Sequence, residues 1–480
     1  MRYSSLAILF SPLIVFAQEN NFEKEFNLQQ QLQYQQQDQD NKFIQNDNFL
    51  TTIKINQQEF TIENNIEDVM TALFIVINHK QTQDIENLLK RYKQFPEAEN
   101  GMILFSQANI EFNNGNTKQA IQLYEQLIKN DPDFIRGKLD LARLYFLDWQ
   151  NKNAKNLFNQ INLPNQPNVM ENVSRFMQQI DRRQAWRGSF SVGGIYNNNL
   201  NQSGKETAKE IVFDPNFGLL ELTRSRPTVQ KGYGWTFEAS LNKHQVLKNH
   251  HGVIFKGLAY GERYPKKAEF SEYNVSAALG YRFQNQHHQL DFSPIFEKTY
   301  AQQAWYSQRR GVQLSYAQTR ENAYFRVQLE YKTEQYQRVN LNYHNGKILS
   351  VFNHIAYSLP NDWLLFGGVD YLRKFGTTDK ADQYQRTGVR IGVNKTFEVG
   401  AEFTAQAIFR QTRYRAFNAL LNKTRRDNEQ KYLLNLALPK LAIAGFTPNF
   451  SVTHTRHQSN VPLVYGFKQN EVAVKLEKFF

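Results

Sequence analysis

The histidines are the residues whose type and spacing could most readily support catalysis or metal binding. The sequence contains 10 His and no Cys, which excludes thiol catalysis and cysteine metal sites. Several histidines are close in sequence: His250 with His251 and His287 with His288 in predicted turns, and His454 with His457 on a predicted strand. Residues three apart on a strand point to opposite faces, so we do not expect the last pair to share a metal ion.

Other signatures of catalysis are missing from the sequence. It has no Gly-rich phosphate loop, no nucleophile elbow and no zinc-binding helix motif. We therefore predict no catalytic, cofactor-binding or metal-binding residues. We expect a binding or transport protein rather than an enzyme.

The first residues have the features of a secretory signal peptide, which we assign to residues 1–17. Arg2 supplies a positive start, Leu6 to Phe16 form a short apolar core, and Gln18 is the expected mature start. No later stretch reaches the roughly 18 consecutive apolar residues that a transmembrane helix needs. Residues 18–62 are rich in Gln and Asn, and such a composition predicts a flexible arm.

Charge divides the rest of the chain near residue 185. Residues 18–185 hold 17 Lys and Arg against 22 Asp and Glu, whereas residues 186–480 hold 39 against 23. A difference in sign between two halves supports a domain boundary. For a secreted protein, lipopolysaccharide phosphates or an anionic client surface are better partners of a basic half than nucleic acid. An equally good interpretation is that the basic residues of the second half line a solvated interior and bind no partner.

Residues 63–185 predict helical repeats. A shift of 34 residues superimposes alanines on alanines and large apolar residues on one another: Ala108 on Ala142, Ala120 on Ala154, Tyr124 on Phe158, and Leu127 on Ile161. This pattern resembles the tetratricopeptide repeat, in which small residues let paired helices approach closely. We predict an earlier helix pair at 67–79 and 83–95, and a capping helix at 169–183. Two functions are possible for such a stack. Its concave surface would bind a partner, or the stack would serve only as a spacer that supports the second domain.

Residues 186–480 alternate between apolar and polar side chains, which predicts strands with one face in lipid and the other in a polar lumen. We therefore predict an α + β two-domain protein whose C-terminal part is an antiparallel transmembrane β-barrel of about 14 strands. The predicted strands start near Trp186, Lys231, Gly252, Ser271, His288, Ala304, Ala323, Ile348, Trp363, Gln383, Ala401, Asn428, Phe446 and Gly466. Short links follow the even-numbered strands and longer ones follow most odd-numbered strands, so the first strand should rise from the periplasm.

The last predicted strand has apolar residues on one face and finishes at Phe480. This arrangement resembles the signal that the barrel assembly machinery recognises in outer-membrane proteins. Lys478 departs from the pattern, because an apolar residue is usual at its position.

The order of signal peptide, tetratricopeptide repeats and barrel resembles the Slam family, the surface lipoprotein assembly modulators. The barrel also begins with Trp186-Arg187-Gly188 and continues from Gly193-Gly194 through Tyr196 to the Asn-rich segment Asn197–Asn201, which is similar to the first strand of that family. The resemblance implies a protein of the cell outer membrane, with its repeats in the periplasm. It also implies a function, the transfer of surface lipoproteins or secreted haem- or metal-binding proteins to the cell surface.

The resemblance suggests how the parts would work. The repeats would recruit the client or a periplasmic chaperone, and the client would pass through the lumen or through an opened seam between the first and last strands. The candidate seam residues are Gly188, Gly193, Gly194, Tyr196 and Asn198, because glycines weaken strand pairing. Local curvature of the barrel wall would explain the same glycines equally well.

Two other transport functions fit the same elements. A polysaccharide-export porin would use inward-facing arginines, for which Arg282, Arg326, Arg386, Arg390 and Arg410 are candidates. A passive diffusion porin with a periplasmic anchor would need no specific residues.

Overall fold

The computed structural model describes residues 65–204, 208–214, 218–224, 228–418 and 423–480. The predicted signal peptide and the predicted arm at 18–62 lie outside the described residues. The first domain consists of helices α1 (Ile66–Asn78), α2 (Thr82–Tyr92), α3 (Asn100–Asn113), α4 (Thr117–Asn130), α5 (Ile135–Leu147), α6 (Asn151–Phe158) and α7 (Pro167–Gln184). No described helix has the length and apolar character needed to cross a membrane.

The helices form because their apolar residues recur at helical spacing and meet in one core. In α2, for example, Ile85, Leu88, Leu89 and Tyr92 are buried on one face. Successive helices pack as antiparallel pairs, and the turn between α3 and α4 passes through Gly115 at a φ of +82°. Glycine adopts this left-handed conformation without steric cost, so the chain reverses there within a few residues.

The second domain is a closed barrel of antiparallel strands. Its strands are β1 (Arg187–Asn197), β4 (Gly232–Lys248), β5 (His251–Arg263), β6 (Glu272–Gln284), β7 (His288–Ala301), β8 (Ala304–Thr319), β9 (Ala323–Tyr336), β10 (Gly346–Leu359), β11 (Trp363–Phe375), β12 (Tyr384–Thr396), β13 (Glu402–Tyr414), β14 (Arg426–Ala437), β15 (Thr447–Ser459) and β16 (Phe467–Phe479). Each pairs with its neighbours in sequence, and β1 pairs with both β4 and β16 to close the barrel. The predicted fold class and the predicted count of 14 strands are confirmed.

The segment between β1 and β4 is one of the longer links that were predicted to follow odd-numbered strands. Within it the structure contains a separate hairpin, β2 (Ala208–Asp214) and β3 (Gly218–Arg224). The two strands pair with each other and not with the barrel, so their backbone groups satisfy one another. A short helix, α8 (Pro462–Tyr465), lies in the link between β15 and β16.

The barrel wall has a lipid-facing surface and a polar lumen because its side chains alternate. On β16, Val472, Val474 and Leu476 are exposed on the outer face, whereas Glu471, Lys475 and Glu477 are buried on the lumen side. Exposed aromatic residues mark both ends of the wall, as expected at two membrane interfaces. They include Trp186, Phe325, Tyr357 and Trp363 near the short links, and Tyr233, Trp235, Trp305 and Tyr331 towards the other end.

Candidate functional site

The six residues predicted to pack the repeats all lie in the core of the helical domain. Ala108, Ala120, Ala142 and Ala154 are fully buried, and Tyr124 and Phe158 are almost so. Asn109 Nδ2 donates to the Tyr124 hydroxyl at 2.9 Å, and burial raises the pKa of that hydroxyl well above its usual range, with a contribution from the Asp140 carboxylate. Tyr124 therefore stays neutral and serves as a packing residue with one satisfied polar atom.

The helical domain contacts the barrel at two of its short links. Between α5 and α6, the carboxylate of Asp148 accepts from His250 Nε2 at 2.7 Å and from the backbone N–H of Gln286 at 3.4 Å. Thr117 at the start of α4 donates to Gln286 Oε1 at 2.6 Å. The links β4–β5 and β6–β7 are thus bound to the inter-helix turns, which places the repeats on the same side of the membrane as the short links.

Trp149, next to Asp148, has an unusual backbone conformation. Its φ is +61°, a left-handed value that is costly for a bulky residue. The side chain is only 8% exposed, and its ring lies 6.3 Å from the ring of His244 in β4. The strain is therefore compensated by packing between the two domains.

Arg183 in α7 completes this contact between the repeats and the barrel. We call the contact, formed around Asp148, Trp149, Arg183 and His244, the junction. Its guanidinium lies 3.6 Å above the Phe146 ring and 4.2 Å above the Trp149 ring. Nη1 donates to the Phe146 carbonyl at 2.6 Å and to Asn151 Oδ1 at 3.1 Å. A buried, always charged group with defined acceptors fixes the turn before α6 against the last helix.

Sequence patterns did not predict the contact between the two domains, although the 34-residue repeat contains an indication of it. The shift of 34 residues superimposes Gly115 on Trp149, and both have positive φ. The first turn uses the residue that tolerates this conformation, whereas the second uses one that does not. A tryptophan at a position suited to glycine indicates that its side chain has a specific contact.

The chain runs from the junction directly into the first strand of the seam. Only Ala185 and Trp186 separate the end of α7 from the start of β1, and Gln245 on β4 donates to Gln184 Oε1 at 2.7 Å. A movement of α7 would therefore act directly on the first strand of the barrel.

The seam between β1 and β16 is the shortest strand pairing in the barrel, running from Ser189 opposite Phe479 to Asn197 opposite Glu471. A Cβ on Gly193 would lie 2.0 Å from the Val474 carbonyl oxygen, so this glycine permits the close approach of β16. A Cβ on Gly194 would meet nothing within 4 Å. Equally tight glycines, Gly280 and Gly311, occur far from the seam, so close approach alone does not distinguish the seam.

Asparagine side chains hold the outer end of the seam. Asn197 Nδ2 donates to Glu471 Oε1 at 2.8 Å, and Asn198 Oδ1 accepts from the backbone N–H of Asn470 at 2.8 Å. Asn199 Nδ2 donates to the Lys468 carbonyl at 2.8 Å. The Asn-rich segment thus crosslinks the two strands by hydrogen bonds. Tyr196 lies on the lipid face, with its ring 4.7 Å from that of Tyr233 on β4.

At the other end of the seam, Gly188 and Phe480 exchange backbone hydrogen bonds of 2.8 and 3.0 Å. A Cβ on Gly188 would lie 2.7 Å from the Phe480 ring. Lys478, which departs from the expected apolar pattern, donates to the Ala444 carbonyl at 3.1 Å and lies 5.3 Å from the Phe446 ring centroid. Its amine therefore fixes the link between β14 and β15 to the last strand.

The five candidate arginines all lie on the lumen side of the barrel and are buried. Three of them form ion pairs with acidic neighbours: Arg282 with Asp291 at 2.7 Å, Arg390 with Asp370 at 2.8 Å, and Arg410 with Glu429 at 3.1 Å. Because nearby carboxylates neutralise these charges, they do not form a continuous positive track for an acidic polymer.

Of the histidines predicted in turns, His250 and His287 lie in the links, whereas His251 and His288 are the first residues of β5 and β7. His454 on the lipid face has Nδ1 2.6 Å from Asn470 Oδ1, whereas His457 on the lumen side has Nε2 3.9 Å from Asp427. In the link before β7, burial lowers the pKa of His287. Within the described ranges, His, Asp and Glu do not cluster in threes suited to a metal ion.

Comparison with known proteins gives consistent matches along the chain. Residues 186–480 match the family described as surface lipoprotein assembly modifier, and residues 53–158 match its N-terminal TPR repeats. The hemophilin secretion modulator of Acinetobacter baumannii is 28% identical over 90% of this chain and 89% of its own. The surface lipoprotein assembly modifier of Pasteurella multocida is 24% identical over 86% of this chain and 83% of its own. Among solved structures, Acinetobacter baumannii OccAB4 has a TM-score of 0.31 and 8% identity, covering 62% of this chain and 98% of that one.

Proposed function

Because the chain belongs to the surface lipoprotein assembly modifier family, we propose that it moves client proteins from the periplasm across the outer membrane to the cell surface. The observation that carries the proposal is the direct connection between the two domains. A helical repeat domain is fastened to the periplasmic links of the barrel through Asp148, and its last helix leads into the seam strand β1. A recruiting surface and a pore are thus held together in one chain.

The client class follows from the relatives. The Acinetobacter protein named for hemophilin secretion is 28% identical to this chain over the aligned residues, whereas the Pasteurella protein named for lipoprotein assembly is 24% identical. Of the two client classes, a secreted haem-binding protein is therefore the one we favour over a surface lipoprotein. Transport of this kind requires no catalytic residue, and we assign the chain no enzymatic activity.

Other partners follow from the same location. The lipid-facing surface would contact outer-membrane lipid and lipopolysaccharide. The barrel assembly machinery would insert the chain by its last strand, β16, and Phe480. Periplasmic chaperones would deliver the client to the repeats.

The alternatives are less well supported. An acidic polysaccharide would need unneutralised cations in the lumen, but Arg282, Arg390 and Arg410 have acidic partners. A passive porin would not need a repeat domain fixed to its periplasmic links.

The direct test is to measure the surface exposure of the protein encoded beside this gene. Antibody detection of the client on intact cells and in the culture medium should fall at least tenfold when the chain is deleted, with total client unchanged, and return on complementation. An unchanged label would exclude that client. Loss of labelling together with loss of total client would indicate an effect on client stability and would contradict translocation.

A further inference from the structure

The lipid-facing surface of the barrel contains two pairs of cations that face each other across neighbouring strands. Arg413 on β13 is directly opposite Arg426 on β14, and Arg456 on β15 is directly opposite Lys468 on β16. All four side chains are exposed. We call these four residues the outer basic patch.

Such pairs are unfavourable on their own. Directly opposed residues of an antiparallel ladder have Cα atoms roughly 4.5–5.5 Å apart, and like charges at this separation destabilise the sheet. Two such pairs on adjacent hairpins therefore indicate that something outside the barrel wall compensates their charge.

The barrel itself supplies no counter-charge on this face. Every residue of β12 to β16 is described, and their lipid-facing positions hold no Asp or Glu. On β14 and β16, the carboxylates of Asp427, Glu429 and Glu471 are on the lumen side, where Glu429 pairs with Arg410 at 3.1 Å. Among the described residues, the structure shows no ion pair for any member of the patch.

The patch also lies at a particular depth. On β15, Arg456 is four residues beyond the exposed Val452, a distance of about 13 Å along a strand. On β14, the exposed aromatic Tyr432 is six residues from Arg426 and lies closer to the membrane centre. The four cations thus lie above the apolar band, at the end opposite the repeats, which is the level of the outer-leaflet headgroups.

A concave space adjoins half of the patch. A cavity of about 800 Å³ opens beside the outer ends of β15 and β16, and Arg456, Lys468, Gln458 and Asn470 are among the residues that line it. It therefore combines two cations with amide groups that can donate further hydrogen bonds.

From these observations we infer that the outer basic patch binds the phosphate groups of lipopolysaccharide in the outer leaflet. Each arginine guanidinium can bind two phosphate oxygens through two parallel N–H donors, and lysine adds a point charge. A phosphate bound between the strands would contact both cations of a pair and so remove the repulsion between them. The inference rests on the outer-membrane location and not on client transport, so a barrel that carried no client would still bind.

The test uses the purified full chain in detergent, with hexa-acylated lipid A carrying both phosphates as the probe and the same lipid A without phosphates for comparison. Replacing the patch by Arg413→Gln, Arg426→Gln, Arg456→Gln and Lys468→Gln should weaken binding of phosphorylated lipid A at least tenfold. Binding of the dephosphorylated lipid should change less than twofold. The matched control, Lys298→Gln with Arg310→Gln, removes two other cations of the barrel wall that each lie over an aromatic ring, and it should change neither affinity more than twofold.

Thermal unfolding provides a second measurement. In lipid-free detergent the patch variant should unfold at the same or a higher temperature than the parent, because repulsion has been removed. Added lipid A should stabilise the parent more than the variant. Equal lipid A affinity of parent and patch variant would overturn the inference, and if the variant instead lost contact with client protein, the patch would be a protein-docking surface. An unfolded variant is recognised by its melting curve, and the two double variants, one for each pair, then replace it.

Discussion

At the scale of single residues, the most informative contact is the stack of Arg183 between Phe146 and Trp149. The guanidinium is buried and donates to the Phe146 backbone carbonyl, which also accepts from the backbone N–H of Trp149 at 3.2 Å. The same cation lies against the ring of a tryptophan held at positive φ. One side chain therefore stabilises both the end of the repeats and the surface that they present to the barrel.

We expect Arg183→Ala to destabilise the junction by about 2 kcal/mol, because the Phe146 carbonyl and Asn151 would lose their charged donor in a buried site. Hydrogen exchange in α5 to α7 of the full chain should rise accordingly. Arg182→Ala is the control, since Arg182 is exposed and its loss should change stability by less than about 0.5 kcal/mol. Equal exchange in both variants would show that the stack contributes nothing.

At the scale of elements, the seam has a short ladder that is secured at both ends. The Asn-rich segment crosslinks its outer end, and Gly188 with Phe480 closes the inner end. Between them, Gly193 lets β16 approach β1, while Gly194 faces open space. Two adjacent glycines thus have different structural roles, a difference that the sequence Gly193-Gly194 does not show.

The adjacent glycines provide a paired prediction. Gly193→Ala should loosen the seam, because its Cβ would lie 2.6 Å from the Cα of Lys475 as well as close to a carbonyl oxygen. Gly194→Ala should leave the barrel as stable as the parent or slightly more so, because alanine costs less conformational entropy than glycine in a strand. The temperature at which the folded barrel unfolds on a gel measures both. A similar loss in the two variants would mean that the close approach at Gly193 is not a constraint.

At the scale of the whole molecule, the repeats and the barrel act through one connection. Asp148 binds the periplasmic links, and α7 leads into β1 with two residues between them. A client bound to the repeats would therefore be held beside the seam as well as below the lumen. Whether the client crosses through the seam or through the lumen can be decided by fixing the seam.

A disulfide can lock the seam without competing thiols, because the sequence has no Cys. Ile195 and Ala473 are directly opposite across β1 and β16, and both are buried on the lumen side. If clients leave through the seam, Ile195→Cys with Ala473→Cys should reduce client export at least tenfold under oxidising conditions and recover with reductant. The matched control, Ser240→Cys with Leu258→Cys, links two opposed lumen residues of β4 and β5. Full export by the oxidised seam variant would exclude the seam route and leave the lumen.

The sequence by itself determined the parts of this protein whose signal is local. The two-residue alternation located the barrel strands within about two residues of their starts, as at His288, Ala304, Ala323 and Trp363, because exposure to lipid and lumen acts on each strand separately. The 34-residue shift likewise identified the residues in the repeat core, because neighbouring helices bury the same face.

Only the tertiary structure decided which distant residues meet. Asp148 and Gln286 are 138 positions apart, and Asn197 and Glu471 are 274 apart, so no sequence period relates them. Barrel closure and the docking of the repeats bring these pairs together, whereas the pairing of β13 with β14 places Arg413 opposite Arg426. The register between strands, which one sequence does not reveal, is therefore the physical reason that the junction and the outer basic patch could be found only in the folded chain.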